Sequence, residues 1–264
     1  MQPHTFAPAA HRPADLASPA TNRASSRASP TLAAQRLLQV SVTFVIVYAA
    51  ANYLTSLRSD IGLGVFDWER AIPFIEWTVI PYLSIFVLLP LSFFVCRDTE
   101  ELHLHSRRLL LALVLAVGCY AAFPLGFHFT RPQPQGLFAP LFGALWALDL
   151  PYNRAPSLHI VVLLLMWPRL MACVAAGWQR LAAHAWLAAI GVSVLTTYQH
   201  HVLDIAGGMA VATACFALTL RGGSLAAALH ELRRVGVLLG VLVAKRPSLG
   251  AVRPAVFASS RFAG

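Results

Sequence analysis

Apolar residues run along this chain in long blocks separated by short polar stretches. Six blocks stand out, at residues 37–56, 73–96, 109–129, 157–174, 177–198 and 201–220. Each approaches the roughly 20 residues that an α-helix needs to cross a hydrocarbon core about 30 Å thick. The pattern predicts an all-α, polytopic membrane protein, a six-transmembrane-helix bundle. The first block carries a cleavage-like Ala49–Ala51 stretch. Its leader is long for a signal peptide and the block is long enough to span, so it reads as a retained helix. Residues 1–36 hold five prolines and show no apolar period, which predicts a disordered N-terminal tail. Residues 37–221 form the membrane domain. Residues 222–264 are expected to be a cytoplasmic or interfacial tail, since their apolar portion is too short to span. Two details qualify this pattern. Residues 64–72, with Asp67 and Glu69, are expected to lie along the outer surface. Arg169, just after Pro168, is expected to shorten the fourth helix and snorkel to the interface.

Composition agrees with a bilayer environment. Of 264 residues, 58% are apolar and 12% charged, against about 45–50% and about 25% in soluble domains. The net charge of +9 is carried almost wholly by arginine, with Lys245 the only lysine. These cations are dispersed between apolar blocks, which argues for membrane orientation over nucleic-acid binding. With both tails cytoplasmic, sixteen Arg and Lys residues fall inside. Only Arg58, Arg70, Arg131 and Arg154 fall outside. The positive-inside rule therefore predicts cytoplasmic termini. Cys96, Cys119, Cys173 and Cys215 have neither zinc nor redox spacing and read as small buried hydrophobes.

This orientation gathers the polar exceptions at one face. Arg131, Asn153, Arg154, Ser157, His159, His200, His201 and Asp204 all fall at outer ends of the expected spans. In "HHVLD", His200 and Asp204 are four apart and share a helical face. A carboxylate there can hold one imidazole nitrogen and leave the other free as a nucleophile. His201 is rotated off that face. In "NRAPSLHI", Ser157 is a good N-cap after Pro156, and a helix start offers free N–H groups for phosphate. His159, in the first turn, is placed to act as a general acid. Arg131 of "FHFTRPQP" offers a planar guanidinium suited to phosphate. The plainer reading of each piece is a helix cap or an interfacial anchor. Together they supply a nucleophile, its orienting carboxylate, an acid and an anion clamp.

These residues resemble the type 2 phosphatidic acid phosphatase superfamily. Its motifs are similar to Arg131-Pro132, to Pro156-Ser157-Leu158-His159, and to His200 with Asp204, within roughly residues 60–220. The forms "PSLH" and "QHHVLD" look most like the branch with inositol phosphotransferase-like and sphingolipid synthase-like members. The resemblance implies attack on phosphorus by His200, oriented by Asp204, with His159 protonating the leaving alcohol. Arg131 and Ser157 would hold the phosphate oxygens. Two departures stand out. The family's Lys and Arg are replaced by Pro124 and Val194, and Arg154 is the candidate replacement cation.

The expectation is thus a lipid phosphatase or phosphotransferase acting on lipid-linked phosphate or pyrophosphate through a phosphohistidine. The alternative phosphotransferase would pass a phospho-headgroup to an inositol-like or other alcohol. The expected location is a plasma membrane of bacterial inner-membrane type, with the active site at the outer membrane face. The expected partners are the bilayer and a membrane lipid substrate, with no nucleic acid. No cofactor and no metal is expected. Two rivals stand beside this reading. His159, His200 and Asp204 have the makings of a two-histidine, one-carboxylate metal site, although nearby arginines favour an anion. A catalytically inactive membrane scaffold of the same fold is the non-enzymatic alternative.

Overall fold

The computed structural model describes residues 26–148, 152–175 and 177–219. The expected tail over residues 222–264, and residues 1–25 of the N-terminal tail, lie outside the described residues. Within them the chain is mostly helical. The helices are α1 (Pro30–Ser56), α2 (Val79–Phe94), α3 (Thr99–Ala122), α4 (Ala139–Leu148), α5 (Leu158–Met171), α6 (Trp178–Thr196) and α7 (Val202–Thr219). Four helical segments, Pro30–Ser56, Glu76–Phe94, Thr99–Ala122 and Val202–Thr219, are long and apolar enough to cross a membrane.

The helix ends follow local chemistry. Ser29 caps α1, its hydroxyl accepting from the Leu32 N–H at 3.1 Å, and Pro30 fits the first helical position. The N-terminal tail therefore gives way to helix at residue 30, seven residues before the expected boundary. Asp98 likewise caps α3 by accepting from the Glu101 N–H at 2.8 Å. That starts the third helix ten residues earlier than the apolar block, because a strong cap and acidic first turn extend a helix into polar sequence. The same helix stops at Ala122, and the chain is extended where the block predicts helix. There Leu125–Gly126 pairs in parallel with Gly62–Leu63. Helix α4 corresponds to no expected span: its ten residues are apolar but too few to be read as one.

The bundle is built around α5, which packs against α2, α3, α6 and α7. Ten of its fourteen residues are buried, including Val161, Leu165, Met166 and Trp167. A helix apolar on all sides belongs inside a bundle. The periphery has the opposite character. Val45, Phe86, Val114 and Leu218 are each 64–67% exposed on four different helices. Leaving each in water forgoes about 1.5–3 kcal/mol of burial, whereas lipid accommodates them.

One expectation gains a detail and one is corrected. Helix α5 is short, as expected, and Arg169 near its end forms a partly buried ion pair with Glu101, which also accepts from the Arg97 N–H. The pairing removes the need for the guanidinium to reach water. Of the cysteines, Cys96 and Cys215 are buried, but Cys119 is half-buried and Cys173 exposed. Cys173 follows the end of α5, where the turn leaves the core.

Candidate functional site

The polar residues converge where three connections meet: the α3–α4 segment, the run into α5, and the α6–α7 turn. The turn is made tight by Tyr198, which adopts a left-handed conformation with φ of 54°. A non-glycine residue there costs about 1–2 kcal/mol. Surrounding bonds hold it. The Gln199 and His200 N–H groups both donate to the Val194 carbonyl, at 3.1 and 3.0 Å. The Tyr198 hydroxyl donates to the Ile72 carbonyl at 2.8 Å. The carbonyl of buried Val194 is thus a backbone anchor for the turn.

The turn delivers His200 beside the first turn of α7. His200 Nδ1 lies 3.2 Å from Asp204 Oδ2, and both side chains are buried. The same oxygen accepts from the His201 N–H at 2.8 Å, so Asp204 also reaches back to close the start of its own helix. With Nδ1 occupied by the carboxylate, Nε2 is the nitrogen of His200 left for chemistry.

The start of α5 is fixed to the same place. Ser157 is its N-cap, with the hydroxyl 3.4 Å from the Ile160 N–H. The Ser157 N–H donates to the Asp204 carbonyl at 2.9 Å, and Tyr120 Oη donates to the Pro156 carbonyl at 2.8 Å. Such closeness requires glycine on α7. A Cβ on Gly208 would lie 2.8 Å from the Ser157 carbonyl oxygen, and one on Gly207 would lie 3.3 Å from Pro156. His159 stacks on Tyr82 with ring centroids 4.1 Å apart. Its Nε2 is enclosed and meets no polar atom among the described residues. His159 and His200 lie within electrostatic reach of each other.

Both candidate arginines lean on this turn. Arg154 is 1% exposed and donates from Nη1 to the Gln199 carbonyl at 3.0 Å. Arg131 donates from Nε to the Tyr198 carbonyl at 3.3 Å and from Nη2 to Gln199 Oε1 at 3.5 Å. Their guanidinium carbons sit 5.0 Å (Arg131) and 5.9 Å (Arg154) from the centre of one ring, Phe127. Two cations therefore meet one aromatic ring beside the residue that precedes His200. Asn153 is held as well: in a left-handed conformation, its Oδ1 accepts from Thr55 Oγ1 at 2.6 Å. Pro124 is buried, and its carbonyl accepts from the Gly62 N–H at 2.8 Å.

One residue of the segment expected along the outer surface turns inward: Glu69 is 1% exposed, while Phe66, Asp67, Trp68 and Arg70 around it are exposed. The Glu69 carboxylate bonds to His201 Nδ1 at 3.1 Å and accepts from the Val202 N–H at 3.0 Å. A lone carboxylate in a short polar stretch carries no sequence signal for this, since His201 and Val202 are more than 130 positions away. Gln199 and Phe127, which meet both arginines, are likewise marked by no motif. As for the metal alternative, no group of three His, Cys, Asp or Glu side chains converges on one point among the described residues.

Fold and cluster together define a mostly helical chain with helices fit to cross a membrane. At one end of the bundle, three histidines, two buried carboxylates and two arginines gather. No family model, no curated protein and no solved structure matches the chain.

Proposed function

We propose that the protein is a membrane lipid phosphatase or phosphotransferase that works through a phosphohistidine at His200. The observation that carries this reading is the His200–Asp204 pair, which engages Nδ1, leaves Nε2, and is tied to the start of α5 by the Ser157 N–H bond to the Asp204 carbonyl. In the proposed reaction, Nε2 attacks phosphorus and a P–N bond forms as the P–O bond to the alcohol breaks. His159 Nε2 gives its proton to the departing oxygen. Water, or a second alcohol, then attacks phosphorus, loses its proton to His159, and breaks the P–N bond. Asp204 stabilises the charged imidazole and fixes its tautomer. Arg131, Arg154 and Ser157 bind the phosphoryl oxygens, whose charge must be neutralised in a partly dry site.

The membrane assignment extends this proposal. Six of the helices, all but α4, serve as spans, with both termini cytoplasmic and the cluster at the outer face of a bacterial inner-type membrane. The asymmetry of sixteen cations against four supports that orientation. Arg154 beside Gln199 supports the idea that one cation replaces part of the pair missing at Pro124 and Val194.

The test is phosphate release from a panel of phosphatidate, polyprenyl pyrophosphate and phosphosphingolipid, in detergent, with and without a polyol acceptor. Acid-labile label on His200 during turnover is the expected result. Release at an undiminished rate by His200→Ala, or none from any substrate by folded protein, overturns the proposal.

A further inference from the structure

The second histidine of the pair, His201, is as fully engaged as the first. The His128 N–H lies 3.3 Å from its Nε2, which makes that nitrogen an acceptor and puts the ring proton on Nδ1. Nδ1 faces Glu69 Oε2 at 3.1 Å. The ring is stacked on Phe127 at 4.6 Å and met edge-on by Phe129 at 4.8 Å. No edge of this imidazole is open to a substrate. Its partner Glu69 is equally committed. Oε2 also accepts from the Val202 N–H at 3.0 Å, the first N–H of α7, while Oε1 accepts from the Phe66 N–H at 3.0 Å.

Two buried carboxylates thus hold the start of α7 from opposite directions. Asp204 acts from within the helix and takes His200 Nδ1 and the His201 N–H. Glu69 acts from the short 3-10 helix Asp67–Ala71, which precedes α2. A buried carboxylate is tolerated only when its oxygens are fully engaged, and these three donors engage Glu69.

From this we propose that Glu69 is a positioning residue. It clamps His201 and the first turn of α7, and so fixes the direction in which Asp204 presents His200. The proposal rests on the phosphohistidine reading for its kinetic consequence and on geometry alone for its structural one. A displacement of about 1 Å in a reacting group costs about 100-fold in rate. Glu69→Ala should therefore lower kcat about 100-fold and leave KM nearly unchanged, because the described partners of Glu69 are Phe66, His201 and Val202 and not the proposed phosphate-binding residues. Glu69→Gln keeps a carbonyl oxygen for two of the three donors and should restore much of the loss.

The structural arm uses diethylpyrocarbonate on the full chain in detergent, with mass-spectrometric mapping of modified histidines. His201 should be protected in the wild type and become reactive in Glu69→Ala, with Glu69→Gln between them. Where Glu69→Ala does not insert, Glu69→Gln alone decides: partial His201 reactivity together with a reduced kcat supports the clamp. Unchanged His201 protection and unchanged kcat overturn it. A wild type that releases no phosphate defeats the phosphohistidine reading only, and the labelling pattern then judges the clamp by itself.

Discussion

The approach of α7 to the start of α5 makes Gly208→Ala a graded test of the site's geometry. The added Cβ would sit 2.8 Å from the Ser157 carbonyl oxygen and 3.0 Å from Ile160 Cβ, where ordinary contact begins at 3.4 Å. The neighbour at 2.8 Å is backbone, so no side chain can swing away. One helix must move by about 0.6 Å, a strain of about 1–3 kcal/mol for overpacking. Alanine returns about 1 kcal/mol as the better helix former. The net destabilisation is about 0–2 kcal/mol, a fall in Tm of up to about 8 °C at about 2–4 °C per kcal/mol. The movement pulls on the Ser157 N–H bond to the Asp204 carbonyl, so turnover should fall by more than stability does. At Gly118 a Cβ meets nothing within 4 Å, and Gly118→Ala should leave the activity intact and raise Tm. Thermal unfolding in detergent, paired with phosphate release, measures both. A Gly208→Ala protein with wild-type Tm and turnover would refute the close packing of α5 on α7.

Three further outcomes are expected. His200→Ala should abolish phosphate release and Asp204→Asn should leave a residue of about 1 part in 10⁴, while His201→Ala, which disturbs the Glu69 clamp, should be milder than either. Arg154→Ala should lower kcat/KM by about 30- to 1000-fold, with Arg154→Lys recovering part of it; unchanged kinetics would make the residue an anchor. For topology, a cysteine replacing Leu137, 89% exposed, should be labelled from outside intact cells. One replacing exposed Glu100 should be labelled only after permeabilisation, and the reverse pattern would invert the proposed orientation.

Some of this arrangement was legible along the chain and some was not. The cap chemistry of Ser157 is local and forms as the sequence indicates, whereas His200 and Asp204 meet without sharing a helical face, since α7 begins only at Val202 and Asp204 reaches back to a histidine in the preceding turn. Helix α3 shows where apolar blocks mislead: Asp98 sets its start in polar sequence, and pairing with Gly62–Leu63 ends helix before residue 125. The inward turn of Glu69 within its short polar segment has no sequence mark, because nothing near it shows that it pairs with His201 and Val202. The same holds for Arg169, whose partner Glu101 lies 68 positions earlier. Long-range pairing of single charged residues is set by how helices dock, and no period or motif encodes it.

The central helix has a consequence for where the lipid meets the chemistry. At about 1.5 Å per residue, the fourteen residues of α5 reach about 21 Å, well short of a hydrocarbon core of about 30 Å. Its neighbours shield it from lipid, so it need not match the bilayer thickness. If the shortfall of roughly 9 Å lies at the Ser157 end in the proposed orientation, Ser157 and His159 sit below the level of the headgroups, under the α6–α7 turn that covers them. A lipid phosphate would then have to sink toward them while its tails stay in the leaflet. How far a headgroup can sink, more than contacts to the chains, would decide which ones fit.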